Sequence, residues 1–291
     1  MAIAVTGASG DLGGRVARQL LELVPAEDLI LLSRNTDKLA AFAERGAQVR
    51  AADFDRPETL GQALAGGERM LLVSTIEVGE KRRGQHRAAI EAAKAAGIRR
   101  LAYTSSVGIH PRNPSFIIPD HAYTEGLLRE SGLETTILHM ASYADILAHA
   151  IVPQAIETGH WVSRSGDGRL AYIAKDDCAR AAAHVLADGG HAGAVYEITG
   201  PELLSNREAA ALAAEMTGKP IAYLEPSPAD EEEVAKQAAT WVGPFTLADL
   251  LSSEIAVRDG FNAICSDHVE MITGTRAKPL RQVYAEAGIG V

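Results

Sequence analysis

The stretch Thr6-Gly7-Ala8-Ser9-Gly10-Asp11-Leu12-Gly13-Gly14 decides how this chain reads. It follows a short β-rich run, IAVT (3–6), and opens a helical stretch, LGGRVARQLLELV (12–24). Gly7, Gly10 and Gly13 stand three apart, a GxxGxxG spacing. Glycines at such a strand-to-helix turn let the backbone bend tightly and approach a pyrophosphate, whose charge meets the positive end of the helix. Dinucleotide binding is therefore expected. Asp11 runs against it, because a carboxylate gains nothing beside a pyrophosphate; Arg15, four residues on, is placed to offset that charge.

The second strand sharpens the expectation. A site for NAD usually carries an acidic residue about 20 positions after the glycines, accepting from the ribose 2′-hydroxyl. Here Ser33-Arg34-Asn35 fills that place, with Lys38 one helical turn later. A guanidinium fork suits a 2′-phosphate and Lys38 adds a point charge, so NADPH is expected in preference to NADH. Asp53, just past the third strand, is placed to accept from the adenine amine. Ser74, Thr75 and Ile76, ending the fourth strand, are expected beside the nicotinamide half, at the carboxyl ends of the strands.

The alternation continues outward. Further strand-like runs stand at 29–33, 47–52, 70–74, 100–105 and 134–139, separated by helical stretches at 36–45, 57–66, 82–97 and 121–132. Strands alternating with amphipathic helices predict an α/β fold, a doubly wound parallel sheet covered on both faces. Gly46, Gly97 and Gly132 fall where helices need a C-terminal residue tolerant of positive φ. After about 145 the rhythm loosens into mainly helical sequence, interrupted by HWVS (160–163) and VYEIT (195–199). Residues 203–217 predict a helix capped by Ser205 or Asn206, and the acidic run 229–234 a solvated helix start. The expected division is 1–145 and 146–291, the second a smaller, discontinuous lobe with some segments returning to the first.

Bulk properties exclude several classes. A formal charge of −10 over 291 residues, with no basic stripe, argues against nucleic acid. Cys178 and Cys265 are the only cysteines, in no metal-binding spacing, which predicts neither a disulfide nor a metal site. No apolar run approaches the ~20 residues of a membrane span and no cleavable leader opens the chain. A cytoplasmic location is expected.

With TGASGDLGG, LLSRN (31–35), DFD (53–55), MLLVSTIEVG (70–79) and AKAAGIRRLAYTSS (93–106) in view, the chain resembles the NmrA-like branch of the atypical short-chain dehydrogenases, and within it the quinone- and dye-reducing members. That resemblance implies a Rossmann-like NADPH domain with a small, mainly helical lobe and a pocket between them. It carries over Gly7, Ala8, Ser9, Gly10, Asp11, Leu12, Arg34, Ser74, Thr75 and Ile76 as cofactor contacts. It adds the loop after the sixth strand, 138–143, bordering the nicotinamide and contributing His139 and Ser142. Relatives typically carry Leu-Arg-Asn in that loop. Here Leu138-His139-Met140 stands instead, leaving His139 either a new acid or simply a strand-end histidine.

HAYTEG (121–126) is the largest departure. Short-chain dehydrogenases place Tyr-x-x-x-Lys on this helix; aligned on the resemblance, those positions are Ala122 and Gly126. Tyr123 is one residue out of register, roughly 100° round the helix. Reducing an unactivated ketone needs a general acid, whereas quinones and conjugated acceptors accept hydride more readily and water can supply the proton. The expected function is an NADPH-dependent reductase of such an acceptor; the alternative is a non-catalytic NADP(H)-sensing regulatory protein. His121 as proton relay, Glu125 as its orienting partner and Tyr143 as a pocket aromatic are the catalytic candidates. The opposing reading of His121 and Glu125 is a solvated face at a helix start. The expected partner is a small-molecule conjugated acceptor; a homodimer is left open.

Overall fold

The computed structural model describes residues 1–226 and 246–290. The acidic run at 229–234 lies outside the described residues. Six strands, β1 (Ile3–Val5), β2 (Leu29–Ser33), β3 (Gln48–Ala51), β4 (Arg69–Leu72), β5 (Arg100–Ser106) and β6 (Glu134–Met140), alternate with helices α1 (Asp11–Leu20), α2 (Ala40–Glu44), α3 (Leu60–Leu64), α4 (Gly79–Ala95) and α5 (Ile118–Glu130). All six strands pair in parallel in the order β3-β2-β1-β4-β5-β6, and the strand Val195–Ile198 extends the sheet beside β6. The doubly wound α/β expectation holds.

Burial explains the strand composition. β1 and β2 are buried along their whole length, so they read as continuous apolar runs and not as alternating ones. One face of the sheet packs on α1 and the later helix Lys175–Ala187, through Val16, Leu20, Ala179 and Ala183. The other face packs on α3, α4 and α5, through Leu64, Ile90 and Leu128. A third core, containing Trp161, Tyr172 and Tyr284, belongs to the chain after 143. Gly46, Gly97 and Gly132 have φ of +103°, +82° and +76°, as their helix-terminal positions demand. Ser205 caps Asn206–Thr217, and Glu208 returns the bond in a capping box.

Two local expectations change. Residues 138–140 are not loop: the ladder with β5 runs on to Ser106↔Met140, and the strand Val195–Ile198 holds the other side through His139↔Glu197. Two flanking strands satisfy the backbone there, so the loop starts only at Ala141. HAYTEG is not a helix start either. α5 begins three residues earlier with Pro119 in its first turn, so residues 121–126 are helix interior.

The strand order reverses between β1 and β4. The chain winds outward through β2 and β3, then crosses to β4 on the other side. The crevice at the carboxyl ends of these two strands is where such sheets bind ligands. Among the described residues no helix is long and apolar enough to cross a membrane, and no cluster of three or more metal-ligating side chains occurs.

Candidate active site

A cleft of about 800 Å³ opens at that crevice and runs from the glycine turn into the later lobe. Gly7 adopts φ +61°, closed to most side chains, and the turn is pinned by Gly10 N–H donating to the Gly7 carbonyl at 2.9 Å. A Cβ on Gly13 would lie 2.3 Å from the Gly7 oxygen, so helix and turn can approach only because Gly13 has none. Gly10 caps α1 without a side-chain hydrogen bond, which leaves the first-turn N–H groups for a ligand. These are the features a pyrophosphate requires, and a dinucleotide fits them.

Gly7, Ser9, Gly10, Asp11 and Leu12 all line the cleft; Ala8 does not, being packed beneath the turn. Asp11 is held by Arg15 Nε at 2.8 Å, and the Arg15 guanidinium also bonds Asp176 at 2.5 Å. Lys175 Nζ reaches the other Asp11 oxygen at 2.6 Å. Burial alone would raise the Asp11 pKa, but the bonds from Lys175 and Arg15 bring it below the ordinary value. Asp11 thus serves as a clamp between the glycine turn and the later helix, which removes the objection to a carboxylate there.

Arg34 is exposed at the cleft mouth, just beyond the Ser33 hydroxyl, which lies 2.6 Å from Ser9 Oγ. Lys38 does not line the cleft. It sits in the 3₁₀ turn Thr36–Leu39, whose geometry departs from the α-helical turn expected. Asp53 lines the cleft, with Oδ1 accepting from Asp55 N–H at 3.0 Å. Ser74, Thr75 and Ile76 line it as well. Their segment is fixed from behind: Val73 N–H donates to Thr6 Oγ1 (2.9 Å), Ser74 N–H to Thr104 Oγ1 (2.8 Å) and Thr75 N–H to His86 Nε2 (3.2 Å).

Beneath the cleft lies a floor of buried polar side chains. His121, 5% exposed, lines the cleft, and its Nδ1 is 2.7 Å from the Tyr103 hydroxyl. Burial and the nearby Arg82 push its pKa well below the ordinary value, so it stands neutral. Glu125 is buried at 9% exposure, but it does not orient His121. Its Oε1 accepts from Ser105 Oγ at 2.6 Å and faces His139 Nε2 at 3.0 Å. One turn of helix puts His121 and Glu125 on one face, yet β5 and β6 offer each a different partner. Burial also removes the solvated-face reading of the pair. His139, expected among the cofactor contacts, lies in β6 below the cleft, outside its lining.

Ser142 and Tyr143 do line the cleft. The Tyr143 ring lies under Lys175 Nζ, 5.2 Å from its centroid, and burial raises its phenol well above the ordinary range. Tyr123 points away: its hydroxyl accepts from Arg87 Nε at 2.9 Å on the outer surface. A Cβ at Gly126 would meet nothing within 4 Å.

Several cleft residues had no signal in the sequence. Arg82 is 3% exposed and lines the cleft, with Nε and Nη1 lacking hydrogen-bond partners. Lys175 reads in sequence only as the opening of a helix. His86 is bonded through Nδ1 to Thr124 Oγ1 at 2.9 Å, and burial followed by Arg82 lowers its pKa to about 3. Since Thr124 donates onward to the Asp120 carbonyl, His86 carries its proton on Nδ1 and accepts at Nε2. The far half of the cleft is apolar, with Ile146, Leu147, Trp161, Leu170, Leu250 and Val257 among its walls. Glu254 interrupts that apolar wall, and burial raises its pKa above the ordinary carboxylate value.

A parallel sheet with an uncapped glycine turn at its switch point and a cleft continuing into a second lobe defines a dinucleotide-binding α/β protein. The chain belongs to the NAD(P)H-binding family, whose profile matches residues 7–189. The NmrA-like resemblance is thereby borne out. The chain is 38% identical over 260 residues to quinone oxidoreductase 2 of Escherichia coli (strain K12), covering 89% of this chain and 88% of that one. Its fold is similar to an NADPH-dependent quinone oxidoreductase from Escherichia coli solved with NADPH, at a TM-score of 0.89 and 35% identity, covering 98% and 99% of the two chains. It is also similar to the triphenylmethane reductase of a Citrobacter species solved with NADP(H), at a TM-score of 0.88 and 29% identity, covering 98% and 100%.

Proposed function

We propose that this protein is an NADPH-dependent reductase that passes hydride to a quinone or similarly activated, conjugated acceptor without a Tyr-Lys dyad. The observation that carries this reading is the floor of the cleft at α5. By the resemblance Ala122 and Gly126 stand at the dyad positions; the neighbouring Tyr123 hydroxyl is bonded to Arg87 on the outer surface, and the far half of the cleft is apolar. Such a pocket suits a flat conjugated molecule, while a ketone needing a strong general acid finds no tyrosine–lysine pair.

Bound in the cleft, NADPH supplies the hydride. The chain's residues bind and orient. The α1 N-terminus meets the pyrophosphate, Arg34 beside Ser33 and Asn35 takes the 2′-phosphate, and the segment Ser74 to Ile76 supports the nicotinamide side. His121, neutral and tethered to Tyr103, offers a weakly basic ring at the cleft floor. Arg82 places a buried positive charge close by, suited to charge developing on the acceptor. Tyr143 and the apolar walls hold the acceptor against the dinucleotide, and proximity supplies much of the acceleration.

The missing dyad also suits an NADP(H)-sensing regulatory protein. The apolar far half of the cleft favours the reductase, because sensing a dinucleotide requires no second pocket. NADPH consumption by the purified protein against quinones, enones and cationic dyes tests the proposal. Turnover with at least one acceptor is expected. NADPH binding without consumption across the whole panel would select the sensor.

A further inference from the structure

One cluster below the cleft is left unused by that mechanism. Four polar side chains from four different elements form a continuous hydrogen-bonded line. Ser105 at the end of β5 lines the cleft and donates to Glu125 Oε1 on α5 at 2.6 Å. The same oxygen faces His139 Nε2 on β6 at 3.0 Å, and His139 Nδ1 faces Glu197 Oε1 on the strand Val195–Ile198 at 2.9 Å. The side chains of Glu125 and His139 are each only 11% exposed, whereas that of Glu197 is 26% exposed. The line therefore starts at the cleft and runs through the buried layer under the sheet's carboxyl edge to the half-buried Glu197.

We propose that Ser105, Glu125 and His139 form a proton relay that delivers the His139 Nε2 proton to the oxygen of the reduced acceptor, with Glu197 holding the Nδ1 side of the ring. The relay rests on the reductase reading, since it has a task only when an acceptor occupies the cleft. A C–H bond forms on the acceptor as the hydride arrives from the dinucleotide, which is oxidised, and the displaced electron pair moves to the acceptor oxygen. As the His139 proton reaches Glu125 Oε1, the Ser105 hydroxyl turns from that oxygen to the acceptor's and gives up its proton. Ser105 is replenished through Glu125 Oε1, and Glu125 by the Nε2 proton of His139. The neutral ring keeps its Nδ1 proton on Glu197, and Nε2 is recharged by the reverse path, through Ser105 and Glu125, from water that enters the cleft once the product has left. Ser105 is the catalytic residue; the other three act through it.

The surroundings of His139 suit the task. Burial would lower its pKa, but the bonds to Glu125 and Glu197 and their charges raise it to about 9, so it carries a proton at neutral pH. Two carboxylates share that one ring, Glu125 Oε1 at Nε2 and Glu197 Oε1 at Nδ1. The other titratable groups nearby are His121 on α5, held neutral, and His268, whose Nδ1 accepts from Glu197 N–H at 2.9 Å. Arg82, from α4, acts on His121.

The test compares wild type with His139→Arg, Glu125→Gln and Ser105→Ala. Arginine keeps a positive charge between the carboxylates but does not release its proton. NADPH affinity by fluorescence titration is expected to stay unchanged in all three. With an enone acceptor kcat should fall on the order of a hundredfold, as loss of a general acid does, and less with a quinone whose reduced oxygen is a weaker base. In wild type kcat should decline as pH rises through about 9; that decline should vanish in His139→Arg. A readout independent of turnover is the His139 ring titration by NMR on histidine-labelled protein, expected to move to lower pH in Glu125→Gln and in Glu197→Gln. Wild-type kcat and pH profile in both His139→Arg and Glu125→Gln would overturn the relay and leave the reductase standing. A wild type that consumes no NADPH with any acceptor would overturn both.

Discussion

The two ends of the cleft are built in opposite ways. At the glycine end the ligand-facing groups are largely backbone N–H groups from one short segment, and side chains are mostly absent by design: Gly7, Gly10 and Gly13 are there for what they lack. At the α5–β6 end the groups are side chains from elements far apart in sequence, each held by a partner on another element. Ser105, Glu125, His139 and Glu197 span 92 positions between the first and last hydrogen-bonded in the line, 105 to 197. A backbone-built site is specified by spacing within one turn. A site built of side chains depends on which strands become neighbours.

The comparison can be broken most sharply at the glycine end. Gly13→Val would force a Cβ to within 2.3 Å of the Gly7 oxygen. Strain of roughly 1–3 kcal/mol is expected, weakening NADPH binding by up to about a hundredfold and lowering the melting temperature, measured by fluorescence titration and thermal unfolding. Binding at wild-type strength would mean that the turn is less tightly fixed than its geometry implies.

Acid tests the other end. His86 is neutral in the folded protein, with its pKa lowered from 6.5 to about 3, and His121 shifts the same way. The unfolded chain binds these protons below pH 6.5 and the native state does not. Stability is therefore fully present above pH 6.5 and declines as pH falls toward 3. By pH 5 the loss from His86 alone is expected to be on the order of 2 kcal/mol, read from denaturant midpoints, and His86→Gln should reduce it. His139 has the opposite sign: its contribution is complete below pH 6.5 and is lost as pH rises through about 9.

A smaller effect separates the two cofactors. Arg34→Ala removes a charge-assisted bond worth roughly 1.5–3 kcal/mol, so the Kd for NADPH should rise at least about tenfold while that for NADH stays put. Equal losses for both would remove the 2′-phosphate assignment. The smallest change is expected at Gly126→Lys. Because its Cβ meets nothing within 4 Å, stability should stay within about 0.5 kcal/mol of wild type, and with alanine at position 122, where the resemblance places a tyrosine, no alcohol dehydrogenase activity should appear.

Much of this molecule was legible before folding. Alternating apolar runs and amphipathic helices specify a parallel sheet, because strands buried on both faces must be apolar throughout and crossover helices must have one apolar side. Helix-terminal Gly46, Gly97 and Gly132 mark their turns because only glycine takes such φ values without strain. The glycine turn and Arg34 announce a phosphate-rich ligand through local chemistry alone. The helix start of α5 was misplaced for the same local reason: HAYTEG offers a polar beginning, but Pro119 in the first turn and the packing of Ile118 decide where the helix begins.

What only the tertiary structure decided is who meets whom. Sequence spacing puts His121 and Glu125 on one helical face. β5 and β6 then assign His121 to Tyr103 and Glu125 to Ser105 and His139. His139 left its expected loop because two neighbouring strands continue the ladder around it, and the strand bearing Glu197 arrives from the far half of the chain. Asp11, awkward beside a pyrophosphate in sequence, became a clamp because Lys175 folds back onto it. Periodicity and turn chemistry are properties of neighbours along the chain, whereas the partner of a buried polar side chain is set by which distant element must satisfy it once water is excluded.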